Sequence, residues 1–297
     1  MPQHKKPNNR WVKTQPTSTN KNTTPQQLVK FNLRLYYLIS IFKPINLDPM
    51  NSLFQSPRFR AFLIHLIASS VLALGALVLV FRIWYPSVLA QVVGVTHVFI
   101  LMLVIDVIVG PLLTLIIYKV GKKGLKFDLF MIAIMQIAVF SYGLHTVAVG
   151  RPAWLVFSVD QFYLVRAVDI NSDGIKNAPS EYRHTPWFGP KWVAVKLPDT
   201  KEKRHQIIAE TLATGHGLFA SPQLYEPLAN AKEKIQPKLR QLSELNKFND
   251  AKTVQTTLAK WPSASNWLPL WSDHQSMSVL LDNNAQIVSI VDLNPSL

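Results

Sequence analysis

The chain has 297 residues, with 31 Lys and Arg against 17 Asp and Glu for a formal charge of +14, and it has no cysteine. Without thiols it has no disulfides, thiol catalysis, or iron–sulfur or zinc–thiolate sites. Residues 1–60 hold ten basic residues against Asp48, whereas residues 150–297 hold 16 basic against 14 acidic, so the basic excess points to anionic headgroups and away from nucleic acid.

Residues 1–49 are rich in Asn, Thr, Pro, Gln and Lys and read as a basic, disordered extension. Within it, Phe31, Leu35, Leu38 and Phe42 share a helical stripe beside Lys30 and Arg34, a pattern for the membrane interface. The alternative expectation is that Met50 is the true start and residues 1–49 are not translated.

Three apolar stretches follow, about 62–81, 95–117 and 129–149, each near the ~20 residues that cross a bilayer as a helix. They define a three-helix transmembrane region over residues 50–150. Val88 and Ala90 offer small residues for signal-peptide cleavage, but the first stretch exceeds an h-region and two more spans follow. Arg58 and Arg60 precede the first span, and Lys119, Lys122, Lys123 and Lys126 face only Asp128 in the second connection. The first connection, Arg82 to Thr96, holds a single Arg and an interfacial Trp84–Tyr85–Pro86. The positive-inside rule then puts the N-terminus in the cytoplasm, with Lys122, Lys123 and Lys126 as an anchor loop on lipid headgroups. Residues 151–297 fall on the far side, the periplasm if this is a bacterial inner membrane.

Counting from the cytoplasmic ends places Asp106 ~18 Å deep, and Ser69, Ser70 and Gln136 ~14 Å deep, in one polar layer. Gly110 and Thr114 continue the stripe from Asp106 at i+4 and i+8, letting another helix approach closely. Pro111 frees the carbonyl of Val107 and predicts a kink. The functional reading is a proton relay or a contact for a partner's polar group; the structural reading is a hydrogen bond among the three helices. His65, ~7 Å in, can reach the headgroups and is expected to be tolerated there.

After Arg151–Pro152 the pattern shortens. Trp154–Val159, Phe162–Asp169 and Trp192–Leu197 read as strands. Asp199 and Glu202 cap a helix to Thr214. Residues 229–248 read as a helix broken at Pro237, residues 250–260 as another, and Met277–Asp282 with Gln286–Leu293 as a hairpin about Asn283–Asn284. Strands at both ends with helices between them predict an α+β domain. Asp169, Asn171 and Asp173 match the opening of a calcium loop, but Ser180 stands at its twelfth position and a plain turn explains the same residues. No catalytic motif is present, Ser272–Asp273–His274 being adjacent rather than convergent, and no cofactor motif either, so the chain reads as non-enzymatic.

Several segments resemble the TfpX/TfpZ group of type IV pilin accessory proteins. They are Arg58–His65, Trp84–Pro86, Asp106-Val-Ile-Val-Gly-Pro-Leu-Leu-Thr114, Gly121–Asp128, Tyr142–Gly143 and Arg151–Pro152. In the exported half they are Val156–Asp160, the motif Pro186, Trp187, Phe188, Gly189, Pro190, and the terminal hairpin. The resemblance runs from about Met50 to Leu297. It implies an inner-membrane factor aiding assembly of a major pilin into type IV pili, with that pilin and the pilus assembly platform as partners. On this reading Asp106, Gly110, Pro111, Thr114, Ser69 and Gln136 receive the pilin helix while the exported domain engages its head. The rival is a membrane-tethered periplasmic sensor or enzyme. It would use Trp187, Trp192, Trp261, Trp267 and Trp271 to stack on a small ligand or cell-wall component.

Overall fold

The computed structural model describes residues 56–170, 172–214 and 217–295; the basic extension, its helical stripe and the Met50 start lie outside the described residues. Among the described residues, three helices are long and apolar enough to cross a membrane. Helix α1, Pro57–Val78, opens with Pro57 at its first position and Ser56 as its cap, the hydroxyl accepting from Phe59 N at 3.2 Å. A π-helical turn, Leu79–Trp84, extends it to a 28-residue apolar run. A short helix α2, Leu89–Val93, ends at Gly94 with φ +74°. Helix α3, Val95–Ile117, carries Pro111, and α4 is Leu125–Val149.

The middle helix α3 packs against both α1 and α4. Ala73 and Ala76 of α1 and Val80 and Trp84 of the π-helical turn meet Phe99 and Leu103 of α3 and Val147 and Ala148 of α4. The two alanines let the backbones approach, as small residues do where lipid gives helices no hydrophobic drive to associate. The remaining faces carry exposed Ile64, Ile67, Val98, Leu101 and Met135, apolar surface suited to lipid. At the basic end, Arg58 Nε donates to the carbonyl of Leu115, tying the start of α1 to the last turn of α3.

Only Gly150 and Arg151 separate α4 from the first strand, β1 (Pro152–Ser158). β1 forms a hairpin with β2, Gln161–Arg166, and runs parallel to β3, Lys191–Val195. Between β2 and β3 lies helix α5, Ser172–Asn177; after β3 comes α6, Lys201–Thr214. Then come β4 (Tyr225–Pro227), α7 (Lys232–Ile235), β5 (Arg240–Gln241) and α8 (Ala251–Leu258). Strands β6 (Asn266–Trp271), β7 (Met277–Leu281) and β8 (Ile287–Val291) complete a sheet ordered β4-β3-β1-β2-β6-β7-β8, with β5 on β6. The architecture is therefore three apolar helices followed by a mixed α/β domain.

β1 lies in the middle of the sheet and is buried throughout. Its side chains alternate, Leu155 and Phe157 entering one core, Trp154 and Val156 the other. The helix expected over residues 229–248 is replaced by α7, three 3₁₀ turns and β5. Pro237 ends the helical run as predicted, and Gln241 and Glu244 form a capping box that opens a 3₁₀ turn. β6 is not among the predicted strands, and its internal Pro269 has no N–H to give a ladder. It is tolerated because β5 pairs with Asn266 and Trp267 and β2 with Leu270 and Trp271, leaving Pro269 unpaired on that edge.

Candidate functional site

Four side chains and one backbone carbonyl from the three helices meet in a polar layer within the apolar bundle. The Gln136 amide nitrogen donates to Ser69 Oγ and to the backbone carbonyl of Asp106, both at 2.9 Å. His65 Nε2 lies 2.7 Å from Gln136 Oε1, and its Nδ1 lies 2.7 Å from Thr114 Oγ1. A carbonyl can only accept, so the Asp106 contact fixes the orientation of the Gln136 amide. Gln136 Oε1 then accepts from His65 Nε2–H, and the Thr114 hydroxyl, able to donate or accept, completes the ring's bonds at Nδ1.

Gly110 makes this arrangement possible. A Cβ there would stand 1.9 Å from Gln136 Oε1, so the amide occupies the space a side chain would take. Thr114 and Ser69 are buried, each 4% exposed, and Pro111 is buried beside Gly110. Ser70, expected in the same layer, is exposed and lies about 100° around α1 from Ser69. His65, expected near the headgroups, instead turns inward and joins all three helices. The signal for it was spacing: His65, Ser69, Ala73 and Ala76 recur at i+4 and i+3 on one helical face.

Asp106 is the partly open member. It lines an apolar groove of about 410 Å³ between α3 and α4, with Val109, Leu113, Met131, Met135 and Val139. It also lines a smaller groove of about 190 Å³ between α1 and α4. In the basic connection, Lys122 Nζ pairs with Asp128 at 2.7 Å, while Lys123 and Lys126 are exposed.

A second constellation sits where the helices join the sheet. Arg151 is 3% exposed and donates to Ala148 O at 2.6 Å, Pro186 O at 3.1 Å and Thr185 Oγ1 at 3.0 Å. Its guanidinium lies 4.1 Å from the Trp187 ring centroid, and Trp84 reaches the same ring at 6.2 Å. Burial lowers the pKa of this Arg. Tyr85, 1% exposed, donates to Val147 O at 2.8 Å, and burial raises its pKa. The predicted motif Pro186, Trp187, Phe188, Gly189, Pro190 thus lies against the end of α1. Beside it a groove of about 600 Å³ runs between Arg82, Phe188, Trp192 and Ile290.

Of the calcium candidates, Asp169 is engaged by Arg166, whose Nε and terminal nitrogen each donate to it at 2.7 Å. Asn171 lies outside the described residues, and Asp173 falls within α5. Among the tryptophans, Trp267 is fully buried, and Trp192 and Trp261 pack against core clusters. Trp271 meets Tyr163 at 5.9 Å; Trp187 is 56% exposed.

The comparisons with known proteins bear on this arrangement. The family model described as fimbrial assembly protein FimB matches residues 54–94, the stretch from the start of α1 to Gly94. The chain is 30% identical over 240 residues to the fimbrial assembly protein of serogroup E1 from Dichelobacter nodosus, covering 78% of this chain and 93% of the relative. The chain belongs to the FimB family of fimbrial assembly proteins. The serogroup I protein of the same organism gives the same identity and coverage. The protein of serogroups C1 and C2 is 32% identical over 117 residues, 39% of this chain and 89% of the relative. No solved structure matches.

Proposed function

We propose that this multi-pass membrane protein assists fimbrial assembly as a type IV pilin accessory factor of the TfpX/TfpZ kind, in the inner membrane. It holds a pilin helix in the bilayer and the pilin head at its α/β domain. The groove between α3 and α4 carries this reading: it is long, apolar and open to the lipid, with Asp106 as its polar mark. Gly110 and Thr114 are occupied within the bundle, so they shape the groove from behind while Val109, Leu113 and Met135 meet the subunit. The basic end, with Arg58, Arg60, Lys123 and Lys126, faces the cytoplasm, and the domain faces the periplasm.

A photo-crosslinker at Val109 or Met135 in living cells tests this. Capture of the major pilin subunit, together with loss of pili on deletion of the gene, is the expected result. Failure of both positions to capture it, with piliation intact after deletion, would refute the proposal.

A further inference from the structure

We propose that Trp187 and Phe188 form an interfacial anchor that seats the α/β domain on the bilayer, dipping into the headgroup–acyl boundary on the domain's side. The inference rests on the three helices crossing a membrane and is independent of the pilin role. Phe188 is 88% exposed, a large cost in water for a side chain that could bury its whole ring. The loop that bears it is not loose. Arg151 holds its base through Pro186 O and Thr185, and Pro186 and Pro190 bracket it. Gly189, with φ +78°, lies so close to the last turn of the first span that a Cβ would stand 3.2 Å from Ile83 O.

That contact sets the height of the loop. The apolar run of α1 ends at Trp84, so a loop pressed on Ile83 and touching Trp84 lies level with the edge of the hydrocarbon. Residues 185–190 carry no charge, whereas Arg183 and Lys191 flank them in the chain and Arg82 lines the groove beside Phe188, all exposed. An apolar aromatic tip flanked by cations matches acyl chains below and phosphates above.

The absence of native cysteines permits a direct test. Phe188→Cys and Val159→Cys, each labelled with an environment-sensitive fluorophore, are reconstituted as the full chain in phosphatidylcholine–phosphatidylglycerol vesicles containing doxyl-labelled acyl chains. Val159 is 70% exposed in the β1–β2 turn, at the opposite end of β1 from Arg151. The expected result is at least two-fold quenching by doxyl lipid at 188, with protection from aqueous iodide, and the reverse at 159. Iodide quenching at 188 equal to that at 159 overturns the anchor. Protection from iodide without doxyl quenching also overturns it, assigning the loop to a protein contact. Both positions are exposed, so either substitution leaves the fold intact.

Discussion

Gly110 and Arg151 show how single positions decide what their neighbours can do. Adding a methyl at Gly110 pushes into the Gln136 amide, which cannot retreat without breaking its bonds to Ser69, Asp106 O and His65. Gly110→Ala should lower the unfolding midpoint in detergent, with a cost of about 1–2 kcal/mol for the lost intramembrane bonds. Gly75, on the same bundle, has nothing within 4 Å of its Cβ position, so Gly75→Ala should be neutral or slightly stabilising in the same assay. Arg151→Met leaves Pro186 O and the Thr185 hydroxyl without this donor, leaves Ala148 O with backbone N–H only, and strips the cation from Trp187. About 3 kcal/mol of destabilisation is expected, and Arg151→Lys should recover little because one ammonium cannot reproduce the fork. At this scale the sequence was partly legible. Asp106, Ser69 and Gln136 stood out as polar atoms in apolar runs, but depth along a helix does not reveal which way a side chain points. His65 therefore passed for a residue facing the headgroups.

At the scale of elements, the connection after α1 matters most. α2 is only five residues long, yet Leu89 and Val92 enter the main core of the sheet, and Val92 O accepts from Ser272 Oγ at 3.1 Å. The segment that leaves the first membrane helix is thus part of the sheet's foundation. No periodicity could announce this, since one turn of helix has no pattern and its burial is supplied wholly by distant residues. Val92→Ala should cost about 1–3 kcal/mol through the cavity left in the core. Tyr85→Phe removes the donor that satisfies Val147 O in the last turn of α4, where no intrahelical partner exists. A loss of about 1–2 kcal/mol is expected, read as a lowered midpoint in thermal unfolding. The hairpins β1–β2 and β7–β8 were readable from alternation. β4 and β5, three and two residues long, and β6 with its internal proline were not, because only their neighbours make them strands.

For the whole molecule, the buried tyrosines set an alkaline limit. Burial raises the pKa of Tyr182 to about 12, with Glu181 and Glu226 adding to it, and Tyr225 is likewise raised by burial. The folded state thus holds these protons more tightly than the unfolded chain, where tyrosine titrates near 10. Their contribution is fully present below pH 10 and declines as pH rises from about 10 to 12. Denaturant midpoints measured across that window should fall, and Tyr182→Phe should flatten the slope while leaving the midpoint at pH 8 nearly unchanged. The membrane spans and the charge asymmetry of the ends were plain from sequence because length and composition alone decide them. The way the sheet meets the bundle was not, since it depends on Arg151, Tyr85 and α2 acting together.

Two residues, Gly150 and Arg151, are all the chain between the last membrane helix and the first strand, and one of them is locked at three carbonyl or hydroxyl oxygens. A junction so short and so fastened has no swivel. Tilting the helices within the lipid must therefore carry the sheet with them, so the domain's bearing is set by the bundle's own inclination.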